Sequence, residues 1–133
     1  MPDPSRVEFS PNNRIVKLCL QGMQLEDNGK PDDAARVFFQ AWSEATYDFE
    51  KFISAHFSAR AQAKPSDRLH WLETALQFAL KINDDTVKSA LPALYSNIAR
   101  CHEELGAWEQ ARKHHESAAS LRCQPSDRDF GAL

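Results

Sequence analysis

From residue 15 onward, apolar residues return every three or four positions, the period of helices that bury one face. IVKLCLQGMQLEDNG opens the pattern. Ahead of it SPNN (residues 10–13) offers a capping residue followed by proline, and Asn28-Gly29 supplies the stop. Pro31 suits the first position of a second helix, with Asp32 and Asp33 at the positive end of its dipole and AARVFFQAW as its apolar face. No Gly or Pro interrupts residues 32–64, so the break a compact fold needs is placed in SEATYD, residues 43–48. A third helix runs through FEKFISAHFSARAQA. KPSD then makes a turn, with Ser66 or Asp67 as the cap of a fourth helix, RLHWLETALQFALKI. Asn83-Asp84-Asp85 closes that helix and starts a fifth, which Pro92 kinks near Lys88 or robs of its first turn. The fifth ends at Leu105-Gly106, and a sixth spans Ala107 to about Leu121. Six helices in three hairpins make an all-α fold, and β-branched clusters that would argue for strands are missing.

Composition narrows the class. The 133 residues are 42% hydrophobic and 26% charged, enough for one domain whose core needs no disulfides. A net charge of −3 offers no basic face for phosphate backbones or anionic lipid, so neither nucleic acid nor membrane is an expected partner. Cys19, Cys101 and Cys123 are odd in number and form no C-x-x-C, which reads as reduced thiols. MPDPSRVEFSPNNR lacks an apolar signal core, and no apolar run approaches the ~18 residues of a membrane span. A cytoplasmic protein is the expectation.

An internal repeat runs through the helices. Gly22, Leu25, Ala34, Phe38 and Ala41 stand at the same intervals as Ala99, His102, Ala111, His115 and Ala118, and each series carries a matched glycine, Gly29 or Gly106. Arg60, Ala63, Leu72, Leu76 and Ala79 fall between them in register, with the Ser66-Asp67 turn in place of glycine. Starts at 22, 60 and 99 lie further apart than the ~34 residues of a standard helical-hairpin repeat.

This order of small, large, Ala, aromatic and Ala resembles the tetratricopeptide repeat. LYSNIARCHEELGAWEQARKHHESAASL matches over its full length, VKLCLQGMQLEDNGKPDDAARVFFQAW matches fairly, and the middle unit is recognisable by position. The resemblance implies a right-handed superhelix of three helical hairpins, with repeats at about 15–48, 53–86 and 92–123 in a domain spanning 11–123. A flexible N-terminal segment, 1–10, and a C-terminal tail, 124–133, flank it. PSDR occurs at residues 65–68 and again in that tail, at 125–128, where it reads as a truncated fourth unit or a free end.

Proteins of this kind are non-catalytic scaffolds that hold a partner's peptide or helix in a concave groove lined by the first helix of each repeat. Position by position, the resemblance places Val16, Cys19, Met23 and Glu26 there in the first repeat, Phe57, Ala61 and Lys64 in the second, and Ser96, Asn97, Arg100 and Glu103 in the third. Phe57 is the apolar anchor of that lining and Arg100 the lining cation of the third repeat. Chaperone-binding members clamp a terminal carboxylate with Lys and Asn; the matching positions here are Cys19, Met23, Ser58, Ala93 and Asn97, so that clamp is absent. The partner is an unidentified protein or peptide. The alternative is a self-associating accessory module, its copies meeting over an apolar end at Trp108, Ala111 and Ala118.

CHEELGAWEQARKHHESAASL gathers one thiol and three imidazoles and raises a third option, a diverged enzyme or metal protein using His102 and His115. Against it, His114 and His115 diverge by about 100° on a helix, and HEELG lacks the second His of H-E-x-x-H. Cys101 and His102 diverge in the same way. His102 and His115 are expected as packing pieces between paired helices, and as a pair that would resist joint protonation. Glycine-rich phosphate loops and a G-x-S-x-G nucleophile turn are missing, so no catalytic residue, metal or cofactor is expected. Trp42, Trp71 and Trp108 are read as packing residues.

Overall fold

The computed structural model describes residues 12–123, the side chain of Cys123 excepted. Both terminal segments lie outside the described residues, and with them Ser10, Pro11 and the second PSDR. Among the described residues there are seven helices and no strand: α1 (Arg14–Asp27), α2 (Pro31–Glu44), α3 (Asp48–Arg60), α4 (Pro65–Ala79), α5 (Asp85–Ser89), α6 (Leu91–Glu104) and α7 (Trp108–Cys123). None of the described helices is long and apolar enough to cross a membrane.

Local chemistry sets each boundary. Asn13 caps α1, its side-chain oxygen accepting from the backbone N–H of Ile15 at 2.8 Å and of Val16 at 3.1 Å. The break expected in 43–48 falls after Glu44, where the Glu50 carboxylate accepts from the N–H of Thr46 (2.9 Å) and Tyr47 (3.3 Å) and so starts α3. Glu50 also accepts from the Asn13 amide at 3.2 Å, which ties the head of α1 to the head of α3. Helix α4 corrects an expectation. Neither Ser66 nor Asp67 caps it; Pro65 occupies the first turn with both behind it, since a residue without an N–H fits where no helical acceptor exists. Pro92 splits the fifth predicted helix in two, because it has no N–H to offer Lys88 and α6 must begin afresh at Leu91.

The helices pair as hairpins, α1 with α2, α3 with α4 and α6 with α7, and the hairpins join through α2 on α3, α1 on α3 and α4 on α6. The outer hairpins turn identically. Gly29 (φ 75°) and Gly106 (φ 77°) take the left-handed conformation, and paired reverse bonds close each end: Gly29 N–H to Glu26 O and Lys30 N–H to Leu25 O, Gly106 N–H to Glu103 O and Ala107 N–H to His102 O. Residues 28–30 and 105–107 thus make three-residue turns, whereas 61–64 makes a four-residue turn without glycine.

That extra residue explains where the repeat register breaks. In the second helices it holds: Ala34, Leu72 and Ala111 are buried, as are Ala41, Ala79 and Ala118. In the first helix of the middle hairpin it slips by one, so that Ala59 takes the core place expected of Arg60 and Arg60 swings to the surface. The main core runs through α3, α4 and α6 with Phe49, Ala55, Leu72, Ala75, Leu94 and Ile98; a smaller one joins Ile15, Leu18, Cys19, Ala41 and Ala45. Trp42 lies edge-on to Trp71 (5.2 Å) under the Lys51 ammonium (4.2 Å), as packing would have it. Trp108 is the exception, 67% exposed.

Candidate functional site

Slippage in the middle hairpin has a consequence at the surface. Once Ala59 faces the core, His56 and Arg60, three residues before and one after it, border a cleft between α3, α4 and α6. Arg68 and Leu72 come to it from α4, four apart on one face. Asn97, Arg100, Cys101 and Glu104 come from α6 at positions i, i+3, i+4 and i+7. The cleft holds 310 Å³.

Its charges are unequal. Arg60, Arg68 and Arg100 line it with one carboxylate, Glu104, while Glu26 of α1 and Glu73 of α4 act from outside its lining, in a chain whose net charge is −3. Arg68 donates to Glu104 at 3.2 Å and also reaches the Gln62 and Ala63 carbonyls, so it is fixed across the α3–α4 turn. Arg60 pairs with Glu26 of α1 at 3.0 Å and lies 5.6 Å from the Phe57 ring. Arg100 is exposed and has no ion pair among the described residues. His56 lies half-buried beside Phe57 (5.3 Å); burial, and secondarily the Arg60 charge, pulls its imidazole below the ordinary histidine value. The neutral imidazole is therefore the form favoured in the free protein.

Reactive chemistry has little support here. Burial raises the Cys101 thiol despite the opposing Arg68 charge, and burial alone pushes Cys19 up to about 12, so both stay protonated and poorly nucleophilic. Among the described residues no three His, Cys, Asp or Glu side chains converge as metal ligands.

No family model, curated protein or solved structure matches the chain. The site stands on its geometry alone.

The residues expected to line a groove divide into four sets. Val16 and Cys19 are core residues, 7% and 1% exposed, and cannot meet a partner at the surface: both sit on the face of α1 that packs inward. Ser58, at 3%, is likewise sealed, its hydroxyl without a hydrogen-bond partner among the described residues. A second set is engaged within the fold. Phe57 stacks on Phe38 at 5.5 Å, Glu26 holds Arg60, Ser96 accepts from Arg122 of α7 at 3.0 Å, and Glu103 pairs with His115 at 3.3 Å. Met23 and Ala61 are half-buried and Lys64 is exposed, all outside the cleft. Only Asn97 and Arg100 of the expected set line it.

Sequence reading missed His56, Arg60, Arg68 and Glu104. The signal was present as H-x-x-x-R in α3 and R-x-x-x-E in α6, the spacing that puts side chains on one helix face. What hid it was the register, which assigned Arg60 to a helix contact.

The His cluster also differs from expectation. His102 meets His114 at 5.1 Å, and Tyr95 lies 6.1 Å from the same ring, while His115 turns outward to Glu103. Neighbouring residues on α7 diverge by about 100°, so only one of the two imidazoles can face His102. Ala111 and Ala118 are enclosed between α6 and α7, leaving Trp108 as the exposed member of the expected apolar end. The hollow beside Trp108 is lined by Glu103 and Glu116 with Arg112 and His115, and so lacks the three-arginine border of the cleft.

Proposed function

We propose that the protein is a non-catalytic interaction scaffold of the cytosol, a right-handed superhelix of three tetratricopeptide-like hairpins that holds a partner's peptide segment along α3 and α6. The observation that carries this is the cleft: three guanidinium groups border it, Arg60 paired with Glu26 and Arg68 with Glu104, and Arg100 is free of any ion pair among the described residues. Paired glycine turns at both outer hairpins and buried alanines in register support the repeat reading.

Affinity capture from native cells, quantified by mass spectrometry, tests it. Arg100→Glu is expected to lower recovery of the native partner about tenfold, a loss of about 1.4 kcal/mol. Its thermal midpoint should stay within about two degrees of wild type, because an exposed unpaired charge contributes little to folding. Equal recovery would move the binding surface away from the cleft.

Self-association is the second reading, favoured by Trp108, an indole exposed at 67%. A monomer mass by light scattering that is unchanged with concentration would exclude it.

A further inference from the structure

We infer that the cleft takes a carboxylate-rich segment of its partner and that His56 gains a proton as the segment seats, so that capture tightens as pH falls. This rests on the scaffold reading above and specifies the ligand's chemistry and its control.

Charge complementarity names the occupant. Arg100 lacks a carboxylate, Arg60 and Arg68 each hold one, and Asn97 adds an amide that can donate to an acid oxygen. The floor is apolar, formed by Ala59 and Leu72, which suits the methylene stems of Glu or the flanks of a peptide backbone. A nucleic acid would present the same sign of charge, but it needs a basic surface many phosphates long, and the whole chain is acidic.

His56 is the titrating member of this set. Charged and titratable groups lining the cleft with it are Arg60 on its own helix, Arg68 on α4, and Arg100, Cys101 and Glu104 on α6; Glu26 of α1 is paired to Arg60, and Glu73 of α4 adds a carboxylate whose charge acts on Cys101. In the empty cleft the Arg60 charge favours the neutral imidazole, in the same direction as its burial. A carboxylate arriving among these groups reverses the balance. The charged imidazolium then gains a partner, and linkage requires that what favours the proton when the peptide binds must favour the peptide when the proton binds.

Isothermal titration with acetylated hexaglutamate at low ionic strength tests both halves. Between about pH 8 and about pH 5.5 glutamate remains mostly ionised, so a change in affinity reports on the protein. Wild type is expected to bind roughly tenfold tighter at the lower pH, with uptake of up to about one proton visible as a dependence on buffer ionisation heat. His56→Gln should keep the weaker high-pH affinity at both ends. Titration of the His56 ring proton by NMR in wild type, with and without peptide, needs no variant; its midpoint should rise when peptide is present. Binding that is equal at both pH values, or an unchanged slope in His56→Gln with an unmoved ring titration, would overturn the proton coupling and leave the scaffold reading intact. Failure of hexaglutamate to bind at any pH, or tighter binding of a single-stranded oligonucleotide, would overturn the ligand class itself.

Discussion

Gly22 is a helix-interior glycine held there by one aromatic ring. A Cβ at this position would stand 2.2 Å from Phe38 Cε1, and Phe38 is fully enclosed and stacked on Phe57, so the ring has nowhere to retreat. Alanine ordinarily stabilises a helix interior by roughly 0.5–1 kcal/mol over glycine. Here overpacking outweighs that gain, and Gly22→Ala should lower stability by about 1–3 kcal/mol in a denaturant melt. A stabilised variant would mean that Phe38 has room to move. The sequence made this contact legible, since the repeat pattern pairs a small residue at 22 with a large one at 38. It was less informative about the matching pair in the third hairpin. The counterpart of Phe38 is His115, which lies 44% exposed at its side chain and reaches Glu103 instead of packing. His115→Phe should therefore fold normally, within about 0.5 kcal/mol of wild type, because it removes only an exposed pair.

Pairs of helices are held at their ends as well as along their faces. At the open end of the first hairpin, Arg14 at the head of α1 forms a two-pronged pair with Glu44 at the foot of α2, and Gln40 adds a third hydrogen bond. The hydrogen bond from Arg14, with that from Gln40 behind it, holds the Glu44 carboxyl down to about 2. A folded-state value below the unfolded one stabilises the native state above the unfolded value and loses that contribution as pH falls toward the folded one. The window is thus from about pH 4.5 down to about pH 2. Glu44→Gln should flatten the fall in thermal midpoint across it slightly and lower the midpoint at neutral pH by a matching small amount, since the pair is solvent-exposed. An identical acid profile in variant and wild type would assign the acid transition to other groups. Helix existence and most boundaries were legible from period, proline and glycine. The split at Pro92 was foreseen as one of two outcomes; the start of α4 was misplaced because Ser and Asp were favoured as caps over a proline at the first position.

At the scale of the whole molecule, one residue in one turn decides what the surface offers. Three-residue glycine turns keep the outer hairpins in a common register, and the four-residue turn at 61–64 rotates the middle hairpin's first helix by one position, carrying Ala59 inward and Arg60 outward. A pattern search at fixed steps cannot see such an insertion, which is why Asn97 and Arg100 were found and His56, Arg60 and Arg68 were not. Val16 and Cys19 failed as surface residues for a related reason: the first helix of an end hairpin packs its apolar stripe on α2 and α3 rather than presenting it. The arginine-bordered cleft between α3, α4 and α6 is the surface proposed to meet the partner. Amide and side-chain shift mapping by NMR, with acetylated hexaglutamate added to the labelled full chain, tests this most directly. The largest shifts are expected on His56, Arg60, Arg68, Asn97 and Arg100. Shifts centred on Trp108 and the outer face of α7, with the cleft unmoved, would contradict it.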